Sequence, residues 1–256
     1  MPVRPAEFRD FNADSNDDLL WRNSNTGDVL LWSLHGSGAF DASALGGVNT
    51  GWRIVEPAGD YNGDGRADVL WRNSETGAVV TWEMQGNGAF NGYTIGGVNT
   101  GWRIVEAVGD YNNDGKSDLL WRNVGDGAVV TWEMRGGAAF ASDTIGSANN
   151  GWRIAEAASD YGGDHKDDLF WRNDDNGGVA VWEMLGGGAI RATSIGTVSM
   201  TWNVADAAHD ANADGRADVT WRSAADGQIV QWQMARGGAF DGFMLAAQGA
   251  EWNLIV

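Results

Sequence analysis

At 256 residues and 43% hydrophobic content, the chain has ample material for a packed core, and disorder is not its default. A net charge of −18 excludes the nucleic-acid binders, which neutralise phosphates with clustered Lys and Arg. Cysteine is absent, which removes disulfides, thiolate metal sites and a cysteine nucleophile, and no apolar run approaches the roughly 18–20 residues of a membrane span.

Residues 1–9 (MPVRPAEFR) open irregularly, with Pro2 and Pro5 opposing a regular inner strand. They lack the apolar stretch of a signal peptide. The expectation is either a protein not exported by that route or one whose leader has been removed. Next comes Asp10-Phe11-Asn12-Ala13-Asp14, closing at Asp18. Its clearest copy is Asp60-Tyr61-Asn62-Gly63-Asp64-Gly65-Arg66-Ala67-Asp68, with oxygen-bearing side chains at positions 1, 3, 5 and 9 and glycine at position 6. Alternate residues of a curling loop point inward, and a hard cation such as Ca²⁺ takes about six to eight oxygens. Gly65 suits the positive φ of the bend. The spacing opens like an EF-hand, but the closing acid comes earlier and no helix pattern flanks it. The alternative is an Asx-rich turn without metal.

Repetition favours the metal. Loop starts at residues 10, 60, 110, 160 and 210 fall 50 residues apart without insertion or deletion. The candidate ligands are Asp10, Asn12, Asp14, Asn16 and Asp18; Asp60, Asn62, Asp64, Arg66 and Asp68; Asp110, Asn112, Asp114, Lys116 and Asp118; Asp160, Asp164, Lys166 and Asp168; and Asp210, Asn212, Asp214, Arg216 and Asp218. The seventh residue of each loop would contribute its backbone carbonyl. Up to five Ca²⁺ ions are expected, one per repeat. In the fourth loop Gly162 replaces the asparagine and His165 the glycine; the first loop has only the second defect, at Ser15. Ligand counting therefore ranks loops two, three and five first, loop one next and loop four last.

After each loop a β-rich run, such as Val69-Leu70-Trp71-Arg72-Asn73, leads through Ser74-Glu75-Thr76-Gly77 into Val79-Val80-Thr81-Trp82-Glu83-Met84. Two such runs joined by four residues with a glycine predict a hairpin. A glycine-rich link through Ala89-Phe90 precedes a weaker strand, Gly92–Gly96, and Trp102–Glu106 then runs into the next loop. No segment carries a helical period. Four short strands per repeat predict an all-β, five-bladed β-propeller with four-stranded antiparallel blades, one domain over residues 1–256. Trp252-Asn253-Leu254-Ile255-Val256 matches Trp52–Glu56 by period. It is expected to supply the first blade's inner strand and close the ring.

The Asp-x-Asn-x-Asp-Gly-x-x-Asp loops and the Gly-Ala-Phe segments at 38–40 and 88–90 resemble the FG-GAP/VCBS repeats of integrin-α-type propellers. The resemblance implies Ca²⁺ in the loop between the first two strands of a blade. That family also includes calcium-dependent fungal lectins and bacterial surface modules attached to enzymes. Five repeats depart from the larger integrin-type ring, which bears on any ligand site but not on the loops.

All 15 tryptophans fall on three repeat positions, beginning at Trp21, Trp32 and Trp52. The first two series are expected between blades, with Val69, Trp71, Val80, Trp82 and Met84 on one face. The third, Trp52, Trp102, Trp152, Trp202 and Trp252, follows a surface loop and is read either as packing or as a set of sugar platforms. Arg22, Arg72, Arg122, Arg172 and Arg222 sit at hairpin tips beside the loops carrying Asn49, Asn99 and Asn149. They would grip a hydroxylated or carboxylated ligand, or bond carbonyls and hold blade to blade. His35, His165 and His209 occupy different repeat positions, and no Gly-x-Ser-x-Gly elbow or phosphate loop is present. The expectation is a non-enzymatic, multivalent, lectin-like binding module, secreted or at a bacterial cell surface. It would be a monomer that binds glycans, or a surface or matrix protein.

Overall fold

The computed structural model describes residues 9–249 and Trp252. Among them every regular element is a strand, and no helix is long and apolar enough to cross a membrane. The first sheet holds β1 (Leu19–Arg22), β2 (Asp28–His35) and β3 (Ala39–Gly47). The second holds β4 (Trp52–Gly59), β5 (Asp68–Asn73), β6 (Ala78–Gly86) and β7 (Ala89–Gly97). The third holds β8 (Trp102–Glu106), β9 (Leu119–Asn123), β10 (Ala128–Met134) and β11 (Phe140–Ser147). The fourth holds β12 (Trp152–Ser159), β13 (Asp168–Asn173), β14 (Gly178–Gly186) and β15 (Ala189–Thr197). The fifth holds β16 (Trp202–Asp206), β17 (Val219–Ser223), β18 (Gln228–Ala235) and β19 (Ala239–Ala247). Each sheet is a meander with its strands in chain order.

The sheets are five, as the repeat demands; four have four strands and the first has three among the described residues. The segment expected to complete the first sheet, Trp252–Val256, lies outside the described residues except for Trp252. The chain divides into two compact units: residues up to Val108 with Gly115–Leu119 and Trp132–Ala141, and Gly109–Asp114 with Leu120–Thr131 and the residues from Ser142 on.

The hairpin register follows the pattern of the sequence. Trp71 lies opposite Val80 and Val69 opposite Trp82, so large side chains alternate onto one face. In the first unit Val29 and Leu31 of one sheet pack with Val69, Trp71, Trp82 and Met84 of the next. In the second unit Val179 and Val181 pack with Val219, Trp221 and Met234. Aromatic contacts extend this core: Trp82 meets Trp71 in a tilted pair at 4.8 Å and stacks on Phe90 at 4.2 Å between centroids. The phenylalanine of the Gly-Ala-Phe segment is thus a packing residue. It also moves a strand boundary: β7 begins at Ala89, not at Gly92, because Phe90 pairs with Met84 directly after the tight turn.

One glycine is fixed by contact. A Cβ on Gly77 would come within 1.9 Å of the Val98 carbonyl oxygen, and the same approach recurs at Gly27, Gly127, Gly177 and Gly227. The hairpin tip must pass this close because the Val98 N–H donates to the Gly77 carbonyl at 3.1 Å.

Candidate metal centre

Loops two to five each leave the first strand of a four-stranded sheet and return as its second, as β4 does into β5, and the first loop leads into β1. Its backbone curls through two left-handed residues. At position 6, φ is +69° at Ser15, +80° at Gly65, +81° at Gly115, +66° at His165 and +87° at Gly215. Position 4 also turns left-handed, from +60° at Asn113 to +77° at Gly63, a requirement the motif did not reveal. These turns aim amide hydrogens inward. Asp60 Oδ1 accepts from Gly63 and Asp64, and its Oδ2 accepts from Gly65 at 2.8 Å. Asp160 receives the equivalent set, Asp10 accepts from Asn12, Asp14 and Ser15, and Asp210 accepts from Asp214 and Gly215.

Asn62 Oδ1 accepts the Asp64 amide at 2.8 Å, and Asp64 Oδ1 accepts the Arg66 amide at 3.0 Å. Position 9 is tied to both sides of the loop. Asp68 Oδ2 accepts from Tyr61 at 3.0 Å, and Oδ1 accepts from Met84 in β6 at 2.8 Å. Asp118, Asp168 and Asp218 make the same bond to Met134, Met184 and Met234.

The donor set fits a hard cation. Every carboxylate oxygen with one N–H partner keeps a second lone pair, and the side chains at positions 1, 3, 5 and 9 are all oxygen donors except at position 3 of the fourth loop, which is Gly162. Asp68 and Asp168 are fully buried. Burial pushes the Asp68 carboxyl up to about 8 and the Asp168 carboxyl to about 7, with nearby loop carboxylates adding to both rises. A buried acid crowded by other acids is one that a divalent ion would relieve. Among the described residues no three His, Asp or Glu side chains are drawn into a finished cage, so the fit rests on donor chemistry and backbone path. The loop would supply Asp60, Asn62, Asp64 and Asp68, with a carbonyl from position 7.

Position 7 carries a second feature. Arg66 lies 2.9 Å from Asp64, Lys166 3.1 Å from Asp164 and Arg216 3.6 Å from Asp214. A tethered cation thus leans on the fifth-position carboxylate in three loops. In the first loop Asn16 Nδ2 bonds Asp14 instead, at 3.0 Å. Lys116 lays its aliphatic stem against Gly63 of the preceding loop.

At the hairpin tips the arginines serve the chain. Arg72, Arg122 and Arg172 are only 2–4% exposed. Arg122 Nη2 donates to the carbonyls of Ala148 and Asn149 at 3.1 and 3.0 Å, and Arg172 to those of Val198 and Ser199. Arg22 and Arg222 bond the corresponding carbonyls of Asn49 and Gly249. Arg22 also lies over the Trp71 ring of the next sheet at 5.1 Å, and Arg172 over Trp221 at 5.2 Å. Arg72, Arg122 and Arg172 are thus almost wholly buried, and Arg122 and Arg172 donate to carbonyls of the loop that follows their own sheet. Asn49 and Asn99 cap the adjacent turns through the amides of Gly51 and Gly101.

The tryptophan series separate. Trp71, Trp121, Trp171 and Trp221 are 1% exposed, whereas Trp21 is 47% exposed. Trp52, Trp102, Trp152 and Trp202 are half-buried. Spacing within the loops missed one group, the buried carboxylates Glu83, Glu133 and Glu183. The Trp-Glu-Met triplets at 82–84, 132–134 and 182–184 were the available signal.

No curated protein matches the chain. A profile of the FG-GAP-like repeat matches residues 10–71 and again residues 60–121. Each match runs from one loop through its hairpin to the buried tryptophan of the following sheet, and the same loop recurs at residues 160 and 210. Over residues 10–121 the chain is thus similar to the FG-GAP-like repeat.

Proposed function

We propose that the chain is a calcium-stabilised five-bladed propeller, a single domain that works as a non-enzymatic, multivalent binding module outside the cell or on its surface. FG-GAP-like repeats point to an interaction module rather than a catalyst. The observation that carries the calcium part is the fivefold loop, in which left-handed backbone cradles one carboxylate and buries another. Ring closure is proposed from the unbroken 50-residue period and from the match of Trp252–Val256 to Trp52–Glu56.

Ligand binding falls to the half-buried Trp52, Trp102, Trp152 and Trp202, which recur beside the hairpin tips. Indole faces stack on the apolar faces of pyranose rings, and weak single sites gain from repetition through effective concentration. A glycan is therefore the proposed ligand; a surface or matrix protein is the second reading, favoured by the family match. The test is a glycan array run on the monomer with calcium and with EDTA. Binding that needs calcium and falls in Trp102→Ala and Trp152→Ala supports the glycan reading. Silence of the array in both conditions overturns it.

A further inference from the structure

The fourth loop has a gap. Gly162 stands where Asn12, Asn62, Asn112 and Asn212 stand in the other loops, so one side-chain oxygen is missing. A Cβ built on Gly162 would meet Asp168 Oδ2 at 3.5 Å, Asp160 Oδ1 at 3.7 Å and the Glu183 carboxyl carbon at 3.8 Å. Two of these belong to the loop. The third comes from β14, so the space a third-position side chain would enter is bordered by a carboxylate from a neighbouring strand.

Glu183 is 3% exposed and held in place. Its Oε1 accepts the Gly237 amide, and its Oε2 bonds Arg191, which lies opposite it on β15. Each oxygen keeps a lone pair for a further partner. The next residue, Met184, donates its N–H to Asp168 Oδ1 at 2.7 Å. The strand carrying Glu183 is thus tied to the carboxylate that closes the loop.

We propose that Glu183 is the replacement ligand of the fourth loop, giving a bound Ca²⁺ the oxygen that asparagine gives elsewhere. It deepens the calcium reading above and depends on it. The gain is in charge as well as number. Asp160, Asp164, Asp168 and Glu183 would set four carboxylates on one ion, where loops two, three and five have three within the loop. Charge count is a main determinant of calcium affinity; Arg191 on Glu183 offsets part of the added charge, so the fourth site is expected to move from last place to the level of loops two, three and five. Glu83 and Glu133 hold the same position beside loops two and three, where Asn62 and Asn112 already supply the third-position oxygen, and Ser33 and Gln233 hold it in the first and fifth repeats; what sets the fourth repeat apart is the space left by Gly162.

The experiment is equilibrium dialysis of the whole chain against radioactive calcium at micromolar free concentration, with folding followed by circular dichroism. Glu183→Gln is expected to lose one bound equivalent, and Gly162→Asn in that background to regain it. Glu183→Gln that keeps every equivalent overturns the proposal, as does a double variant that does not recover. Should Glu183→Gln fail to fold, anomalous scattering on crystals of the unaltered protein decides. A Glu183 oxygen at about 2.3–2.6 Å from an ion in the fourth loop supports the assignment, and an ion there without Glu183 in its shell overturns it. No calcium bound by any loop would overturn the calcium reading itself, an outcome distinct from loss of the fourth equivalent.

Discussion

The backbone N–H of Ala67 donates to the carbonyl of Asp10 at 2.8 Å, and by that bond the second loop is tied to the first. The link repeats along the chain: Ser117 to Asp60 at 2.7 Å, Asp167 to Asp110 at 2.9 Å and Ala217 to Asp160 at 2.8 Å. Asp60 returns a bond to Ser117 Oγ, and Asp110 returns one to Asp167. An ion that orders one loop therefore orders an acceptor used by the next. Asp64→Ala, which would weaken the proposed second site, is expected to speed hydrogen exchange at the Ser117 amide in calcium. Exchange mass spectrometry checks this, and unchanged protection at Ser117 would show the loops to be independent.

The buried closing carboxylates set a pH dependence in the metal-free protein. An ordinary aspartate titrates near 3.8, whereas Asp68 and Asp168 are pushed up to about 8 and about 7 by burial. The folded state then holds protons more tightly than the unfolded one between those values. Each group destabilises most above its folded pKa, and that penalty is relieved as pH falls toward 4. In EDTA the melting midpoint is expected to rise from pH 8.5 to pH 5. In calcium the ion takes over the proton's part, so the midpoint at pH 8.5 should exceed the EDTA value by well over about ten degrees, several filled sites acting together. Identical melts with and without EDTA at pH 8.5 would contradict this.

Thr81 is fully buried in β6, and its hydroxyl has no hydrogen-bond partner among the described residues. The fourth repeat places Val181 at the same position, also fully buried. An unsatisfied buried hydroxyl costs about 1–3 kcal/mol, while the methyl that replaces it fits the same space. Thr81→Val should raise the melting temperature by about 2–4 °C. A lower midpoint would mean that the hydroxyl has a partner, such as an ordered water.

Gly77→Ala should act the other way. The new methyl would meet the Val98 carbonyl oxygen at 1.9 Å, and φ is +75°. A loss of about 3 kcal/mol or more is expected. Ala13→Gly, at φ +62° with no change in ligands, should instead gain about 1 kcal/mol. Urea unfolding of the two variants tests both signs.

The repeat made most of this fold legible. A period that never slips gives each residue the same register position in every sheet, so the pairing of Trp71 with Val80 recurs from one hairpin to the next; depth does not follow, since Trp21 is exposed where Trp71 is buried. The loop motif likewise foretold the turn at Gly65, because only a left-handed residue allows that bend. Glu183 was hidden because 15 residues separate it from Asp168, and only strand pairing brings them together. The fate of the arginines was open for a similar reason. Whether a guanidinium faces water or a carbonyl depends on where the chain returns 27 residues later, as at Arg122 and Asn149.

Val29 and Leu31 reach full burial only against Val69, Trp71, Trp82 and Met84 of the following sheet. A growing chain on the ribosome would therefore expose the first sheet's apolar face until residues through Met84 had emerged. Each later repeat would shelter its predecessor while presenting a fresh face of its own. Synthesis would thus carry a travelling hydrophobic edge through each unit, and a chaperone that follows this protein would need to bind one sheet's width at a time.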